Sequence, residues 1–154
     1  MNPQFTERNL VRLIRLVERY TSTAIGKMLE QEGYAPLTAR HLQVFESIDA
    51  NGSNIVQMAK NAHLSKQAMS KLVKEVTAVK LLEVGPNKAD SRYIIVRLTP
   101  KGNIFQQNVL PKISAFYDKL MVNEAIEAAD VETMTDTLLK FLKHFEATNA
   151  PIEG

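Results

Sequence analysis

One short segment of the chain, residues 65–74, combines hydroxyl, amide and ammonium side chains at helical spacing. A glutamine amide matches the donor and acceptor pattern of an adenine edge. Hydroxyl groups can bind phosphate or base, and Lys71 is placed with them and the amide to reach base edges. Lys66 and Lys74 would neutralise phosphates without reading sequence. On the exposed face of one helix, these groups indicate contact with duplex DNA. The candidate contact residues are Ser65, Lys66, Gln67, Ser70, Lys71 and Lys74.

A second charged group lies in "NKADSR", residues 87–92, directly before a β-branched segment. At the tip of a hairpin, Lys88 and Arg92 would be able to reach an adjacent minor groove, where negative potential is concentrated. Asp90 and Arg92 would equally be able to pair with each other and stabilise a surface turn. Taken by themselves, the residue types support both interpretations.

Charge is distributed unevenly along the chain. Residues 53–101 carry nine Lys/Arg against three Asp/Glu, a net charge of +6. Residues 1–52 balance six against six, and residues 102–154 carry four against eight, a net charge of −4. A basic middle segment favours a polyanionic partner. DNA is the first candidate, and an acidic protein bound by the same face is the rival hypothesis.

The apolar spacing predicts the elements that position these groups. Helices are expected over about 6–32, after Thr38, over 55–61, over 65–79, after Thr99 and from about 130. Two strands are expected over about 82–85 and 93–98. Pro111 should kink or break the helix that contains it. Alternation in the second strand predicts that Ile94, Val96 and Leu98 face the core, with Tyr93, Ile95 and Arg97 on the other side.

Two patterns in the basic segment resemble the multiple-antibiotic-resistance regulator (MarR) family of bacterial transcription factors. "DSRYIIVRLTPKG" has that family's wing spacing at Asp90, Arg92, Leu98, Thr99 and Gly102. "IVQMAKNAHLSKQAMSKLVKEV" is similar to its helix-turn-helix. The resemblance covers residues 37–102, and the flanking helices match in length and order rather than by motif.

One residue departs from the family pattern. Lys80 stands where the family usually has a glycine, after the second helix of the helix-turn-helix. Either this helix ends differently, or Lys80 adopts the left-handed conformation that glycine favours.

The resemblance implies a mainly α fold with a small β-hairpin wing (α+β). A winged helix-turn-helix at 37–100 would lie between an N-terminal dimerisation helix at 1–36 and C-terminal dimerisation helices at 101–154. It implies a homodimer that binds a pseudo-palindromic site in double-stranded DNA and regulates transcription, as a repressor or an activator. A small effector, with anionic aromatic compounds as one class, would control binding. Arg92 would enter the groove, and Asp90 would hold the wing in place.

An arginine stripe on the first helix allows three interpretations. The stripe consists of Arg8, Arg12, Arg15 and Arg19, which lie within about 60° of one another on a helix. It is a solvated face, a partner for the acidic C-terminal arm, including across a dimer, or an anchor for an anionic effector. Charge complementarity favours the second over the third. The acids in question are Glu124, Glu127, Asp130 and Glu132.

The sequence gives little support for an enzyme. It has no cysteine, no glycine-rich phosphate loop and no nucleophile elbow. His41, His63 and His144 lack the spacing of metal ligands. We therefore predict no catalytic residue, no metal and no cofactor. No apolar run approaches the roughly 18 residues that span a bilayer, and arginines interrupt any signal-like N-terminal stretch. We expect a cytoplasmic protein without membrane contact.

Overall fold

The computed structural model describes residues 9–87 and 89–148 of the chain. Over these residues it contains seven helices and one two-stranded hairpin, which confirms the predicted fold class. The elements are α1 (Leu10–Gln31), α2 (Ala39–Ser47), α3 (Ile55–Asn61), α4 (Lys66–Ala78), β1 (Leu82–Pro86), β2 (Ile94–Leu98), α5 (Pro100–Asn108), α6 (Leu110–Met121) and α7 (Ala128–Ala147).

The structure confirms the residues that were predicted to begin three of the helices. Thr38, Ser65 and Thr99 are the N-caps of α2, α4 and α5. At Ser65 and Thr99 the side-chain oxygen accepts a hydrogen bond from the backbone N–H three residues on, at 3.1 and 3.0 Å. Gly33 follows α1 with φ of 83°, a left-handed conformation that costs glycine little.

A break at Val109 divides the predicted fifth helix into α5 and α6. Pro111 lies in the first turn of α6. A proline has no N–H for the carbonyl four residues earlier, and its ring would collide with that carbonyl in a continuous helix. The predicted effect of Pro111 is therefore confirmed as a break.

The core is centred on Phe105, which is fully buried. The Phe45 ring lies 4.5 Å from it between centroids, and the Tyr34 ring meets it edge-on at 4.7 Å. Because these three rings come from α5, α2 and the loop after α1, they join the flanking helices to the helix-turn-helix.

The hairpin is antiparallel, with Leu82 opposite Leu98 and Pro86 opposite Ile94. A third segment joins it, because Ser53 exchanges two backbone hydrogen bonds with Val96, at 3.0 and 2.8 Å. The base of the wing is thereby attached to the loop between α2 and α3.

The prediction for the two faces of β2 is partly wrong. Val96 is fully buried as expected, but Ile94 is 55% exposed and Ile95 only 8%. The pairing of Ser53 with Val96 lays the preceding turn over Ile95, and a Cβ added to Gly52 would lie 3.2 Å from Ile95 Cδ1. Ile94 lies opposite Pro86, beyond the covered part of the hairpin.

Candidate nucleic-acid interface

Helix α4 has one side in the core and one side open to solvent. Its buried residues are Met69, Leu72, Val73 and Val76. Of the candidate residues, five are exposed and Ser70 is half-buried. At 100° per residue, Gln67, Lys71 and Lys74 fall within about 60° of one another, directly opposite the core side. The structure thus brings the predicted amide and two of the predicted lysines onto one accessible surface.

The N-terminal end of α4 emerges from a tight turn. His63 has φ of 52°, and the Leu64 N–H returns to the Ala59 carbonyl at 2.8 Å, which ends α3. Ser65 then caps α4 with its hydroxyl oxygen and retains its O–H as a donor. The free N–H groups and the positive end of the helix dipole attract anions at this position.

A buried histidine ties α2 to α4, a feature that the sequence analysis missed. His41 is 8% exposed, and its Nδ1 accepts a hydrogen bond from the Thr38 backbone N–H at 2.9 Å. Because that backbone group can only donate, the neutral ring carries its proton on Nε2, which lies 3.0 Å from Glu75 Oε2. Glu75 is thereby held on the flank of α4 beside α2. The Thr-x-x-His spacing is that of a capping box with histidine at the third helical position. The contact of His41 with Glu75 joins residues 34 positions apart, so no local sequence pattern predicts it.

Arg40 is a further cation beside α4 that sequence analysis missed. It is exposed in the first turn of α2, and with Lys71 and Glu75 it lines a surface cavity of about 130 Å³. Two basic residues and one acid give this cavity a net positive charge. The cavity continues the exposed basic side of α4 toward the N-terminal end of α2.

At the wing tip, Asp90 and Arg92 pair with each other. Arg92 Nε and Nη2 donate to Asp90 Oδ1 and Oδ2 at 2.9 and 2.6 Å, and the Arg92 backbone N–H donates to Oδ1 at 3.1 Å. The Arg92 side chain, then its backbone N–H, hold the pKa of Asp90 below its usual value. The Arg92 side chain is nevertheless 82% exposed. Lys88, the other predicted wing contact, lies outside the described residues.

Comparison with known proteins identifies the arrangement at the level of fold. No sequence profile of a protein family matches the chain, and no curated protein matches it in sequence. Solved structures do match. A mutant of E. coli MarR complexed with operator DNA has a TM-score of 0.76 at 22% identity, over 92% of this chain and 99% of that chain. The chain has the fold of the MarR family.

Two further solved structures with this fold also match the chain. The S. aureus MepR–DNA complex gives a TM-score of 0.74 at 18% identity, over 90% of this chain and 99% of that chain. Bordetella bronchiseptica BpsR, whose DNA binding is regulated by 6-hydroxynicotinic acid, gives 0.72 at 20% identity, over 89% and 94%. The predicted resemblance, which covered residues 37–102, therefore extends in structure to the flanking helices.

Lys80 shows how this chain departs from the usual MarR pattern. Its φ is 64°, so the lysine adopts the left-handed conformation itself. The Lys80 N–H donates to the Thr77 carbonyl at 2.9 Å, and the Leu81 N–H points back to the Val76 carbonyl at 3.4 Å. Helix α4 thus ends as a glycine-capped helix does, and the second of the two expectations for Lys80 is confirmed.

The arginine stripe makes no ion pair with an acid within residues 9–87 and 89–148. Arg15 and Arg19 are exposed and Arg12 is half-buried, while Arg8 lies outside the described residues. The Arg19 guanidinium lies 5.6 Å from the centroid of the Tyr20 ring. The three arginines that the structure describes therefore do not pair with the acidic arm of the same chain.

Among the described residues, no cluster of His, Asp and Glu side chains has the arrangement of a metal site. Within those same two ranges, no helix is both long enough and apolar enough to cross a bilayer.

Proposed function

We propose that this protein is a homodimeric, sequence-specific regulator of transcription that binds double-stranded DNA in the cytoplasm. The observation that carries the proposal is the exposed amide, hydroxyl and lysine side of α4 within the MarR fold. Two proteins with this fold, E. coli MarR and S. aureus MepR, were solved with DNA, which supports the same class of partner here.

Each residue on α4 has a role that follows from its chemistry. Gln67 lies near the N-terminal end of α4 and would read a base edge in the major groove. Ser65, Ser70 and Lys71 would bind phosphate or base, and Lys66 and Lys74 would neutralise phosphates. We add Arg40 as a further phosphate contact, because it extends the same basic surface past Lys71.

The wing would reach an adjacent minor groove through Arg92 and Lys88. The Arg92 guanidinium is already at the exposed tip, held by Asp90. Because exposed ion pairs are weak and screened by salt, a DNA phosphate or a narrow groove would compete effectively for Arg92. Asp90 would then shape the turn through the backbone N–H of Arg92 while the guanidinium turns to DNA.

Dimerisation would cover the apolar surface of α1, α6 and α7. Helix α7 has no buried residue, although it carries an apolar side at helical spacing. Exposed apolar residues of these helices include Leu13, Val17, Leu120, Leu138, Phe141 and Phe145. A surface of this kind is characteristic of an interface, and a second copy related by a two-fold axis would cover the same residues on both chains. The arginine stripe and the acidic arm would pair across this interface.

A small effector would control DNA binding. The regulation of BpsR by 6-hydroxynicotinic acid supports an anionic aromatic compound as the class to test first. As an alternative to pairing with the acidic arm, the arginine stripe would anchor such an anion.

The rival hypothesis is a winged helix that binds an acidic protein, and a salt titration separates the two. Binding to a panel of duplexes would be measured by fluorescence anisotropy between 50 and 300 mM salt. A regulator should bind one sequence with a Kd of about 10⁻⁸ M or lower, with log affinity falling steeply and linearly with log salt. Weak binding that is the same for every duplex would favour the rival.

A further inference from the structure

The C-terminal end of α4 is held by the first turn of α5. Three consecutive backbone carbonyls follow α4, and each accepts one hydrogen bond. The donors are Thr99 and Lys101. Lys101 Nζ donates to the Val79 carbonyl at 3.2 Å, Thr99 Oγ1 to the Lys80 carbonyl at 2.7 Å, and the Thr99 N–H to the Leu81 carbonyl at 3.1 Å. We call these contacts the α4–α5 joint.

The hydroxyl group of Thr99 serves both helices at once. It donates to Lys80 after α4 and accepts from the Gly102 N–H at the start of α5, at 3.0 Å. A valine at this position would have a similar shape but would lose both hydrogen bonds. A serine would keep them.

Gly102 brings the start of α5 into direct contact with Leu81, three residues after the end of α4. It is buried, and a Cβ added there would overlap the Leu81 carbonyl oxygen. The backbone of α5 therefore packs against the backbone of Leu81 without an intervening side chain, so a shift of α5 displaces the segment that follows α4.

Lys101 is held from a second direction. Its Nζ lies 6.0 Å from the centroid of the Tyr34 ring, and Tyr34 packs edge-on against Phe105. The ammonium group thus joins the end of α4 to the loop after α1 and to the centre of the core.

We propose that Thr99 and Lys101 are positioning residues for DNA reading, which set the direction of α4 without touching DNA. This inference rests on the proposed function. Helix α4 has 13 residues and is about 20 Å long, so a displacement at its C-terminal end reappears at its N-terminal end. Hydrogen bonds to base edges require distances of 2.7–3.2 Å, whereas long lysine side chains follow a displaced phosphate. Loosening the joint should therefore lower discrimination between sequences more than total affinity.

The test compares matched variants on two duplexes. Thr99→Val removes the hydroxyl group, and Thr99→Ser keeps it. Lys101→Met removes the ammonium group, and Lys27→Met removes an exposed lysine on α1 as the control. Kd would be measured on the preferred duplex and on a scrambled duplex, at several salt concentrations.

Discrimination is the Kd on the scrambled duplex divided by the Kd on the preferred duplex. Thr99→Val and Lys101→Met should each lower this ratio by about tenfold, the size of one lost base contact. The salt slope on the scrambled duplex should stay unchanged, because no phosphate contact is lost. Thr99→Ser and Lys27→Met should behave as wild type. Unchanged ratios in Thr99→Val and Lys101→Met would overturn the inference. It would also be overturned if Lys101→Met weakened both duplexes alike and lowered the salt slope by about 1, since Lys101 would then be a phosphate contact.

Hydrogen exchange in the absence of DNA tests the joint independently. Thr99→Val should speed amide exchange in the last turn of α4, while Thr99→Ser should leave it unchanged. Equal amide exchange rates in the two variants would show that the Thr99 hydroxyl group does not hold the end of α4. If wild-type protein prefers no duplex, the proposed function fails, and the role of Thr99 and Lys101 in DNA reading fails with it.

Discussion

At the scale of single residues, Gln67 and Lys74 share the exposed side of α4 but differ in chemistry. Gln67→Ala should remove a preference of ~1–3 kcal/mol at one base pair and leave non-specific binding intact. Lys74→Ala should weaken all duplexes alike and lower the salt slope by about 1, because one phosphate contact is lost. Competition binding with a set of single-base variants, repeated at three salt concentrations, measures both effects. The reverse pattern would overturn the assignment of roles, and Lys27→Ala provides the charge-matched control.

Lys80 gives a prediction about stability. A residue other than glycine in the left-handed conformation costs about 1 kcal/mol, so Lys80→Gly should raise the free energy of unfolding by ~0.5–1 kcal/mol. Lys80→Ala keeps a Cβ and should give no such gain. Urea denaturation of the three proteins measures the difference. A glycine variant no more stable than the alanine variant would contradict the strained conformation.

Residue types and helical spacing were enough to predict which side of α4 is exposed. The buried Met69, Leu72, Val73 and Val76 recur at a period that leaves Gln67 and Lys74 on the opposite side. Arg40 and the contact of His41 with Glu75 were not predictable in this way. Both depend on the packing of α2 against α4, between residues far apart in the chain, which no local pattern encodes.

At the scale of elements, the hairpin shows why alternation along a strand did not predict which residues of β2 are buried. Alternation assumes one covered face, but the segment at Ser53 pairs with Val96 and the turn before it covers Ile95 from the other side. Ile94 is exposed because the hairpin extends past the core. The helices were predicted more closely, because Thr38, Ser65 and Thr99 fix their starts by local hydrogen bonds.

The wing tip is expected to respond to acid. Arg92 lowers the pKa of Asp90, so the pair stabilises the folded turn above the usual pKa of an aspartate, and this contribution is lost as the pH falls through the lowered value. A carbon-detected NMR titration of the Asp90 carboxyl group should show the low pKa, and Arg92→Gln should raise it toward the usual value. An Asp90 pKa that is the same in both proteins would show that the pair does not form in solution.

At the scale of the whole molecule, the exposed apolar sides of α1 and α7 lead us to expect that a second copy of the chain covers them. Leu138→Asp should raise the dimer dissociation constant more than about a hundredfold, because burying an unpaired carboxylate costs several kcal/mol. Analytical ultracentrifugation over a concentration series measures the constant. Val84→Asp, at an exposed apolar residue of the wing, is the matched control and should leave the dimer intact. If Leu138→Asp dimerises as wild type does, α7 is not in the interface.

The wing motif and the helix-turn-helix carried the resemblance, while the flanking helices matched only in length and order. Structural comparison with E. coli MarR now covers 92% of the chain, so the flanking helices have the fold as well. Their sequences could show an apolar side but not what covers it, because the covering surface would belong to another chain.

Selection of bound duplexes from a random pool tests whether this chain forms a two-fold dimer that reads DNA through α4. We predict a pseudo-palindrome whose half-sites are separated by about one helical turn, 10–10.5 base pairs between centres. A pool that stays random after repeated selection, or a single half-site without its symmetric counterpart, would contradict the account.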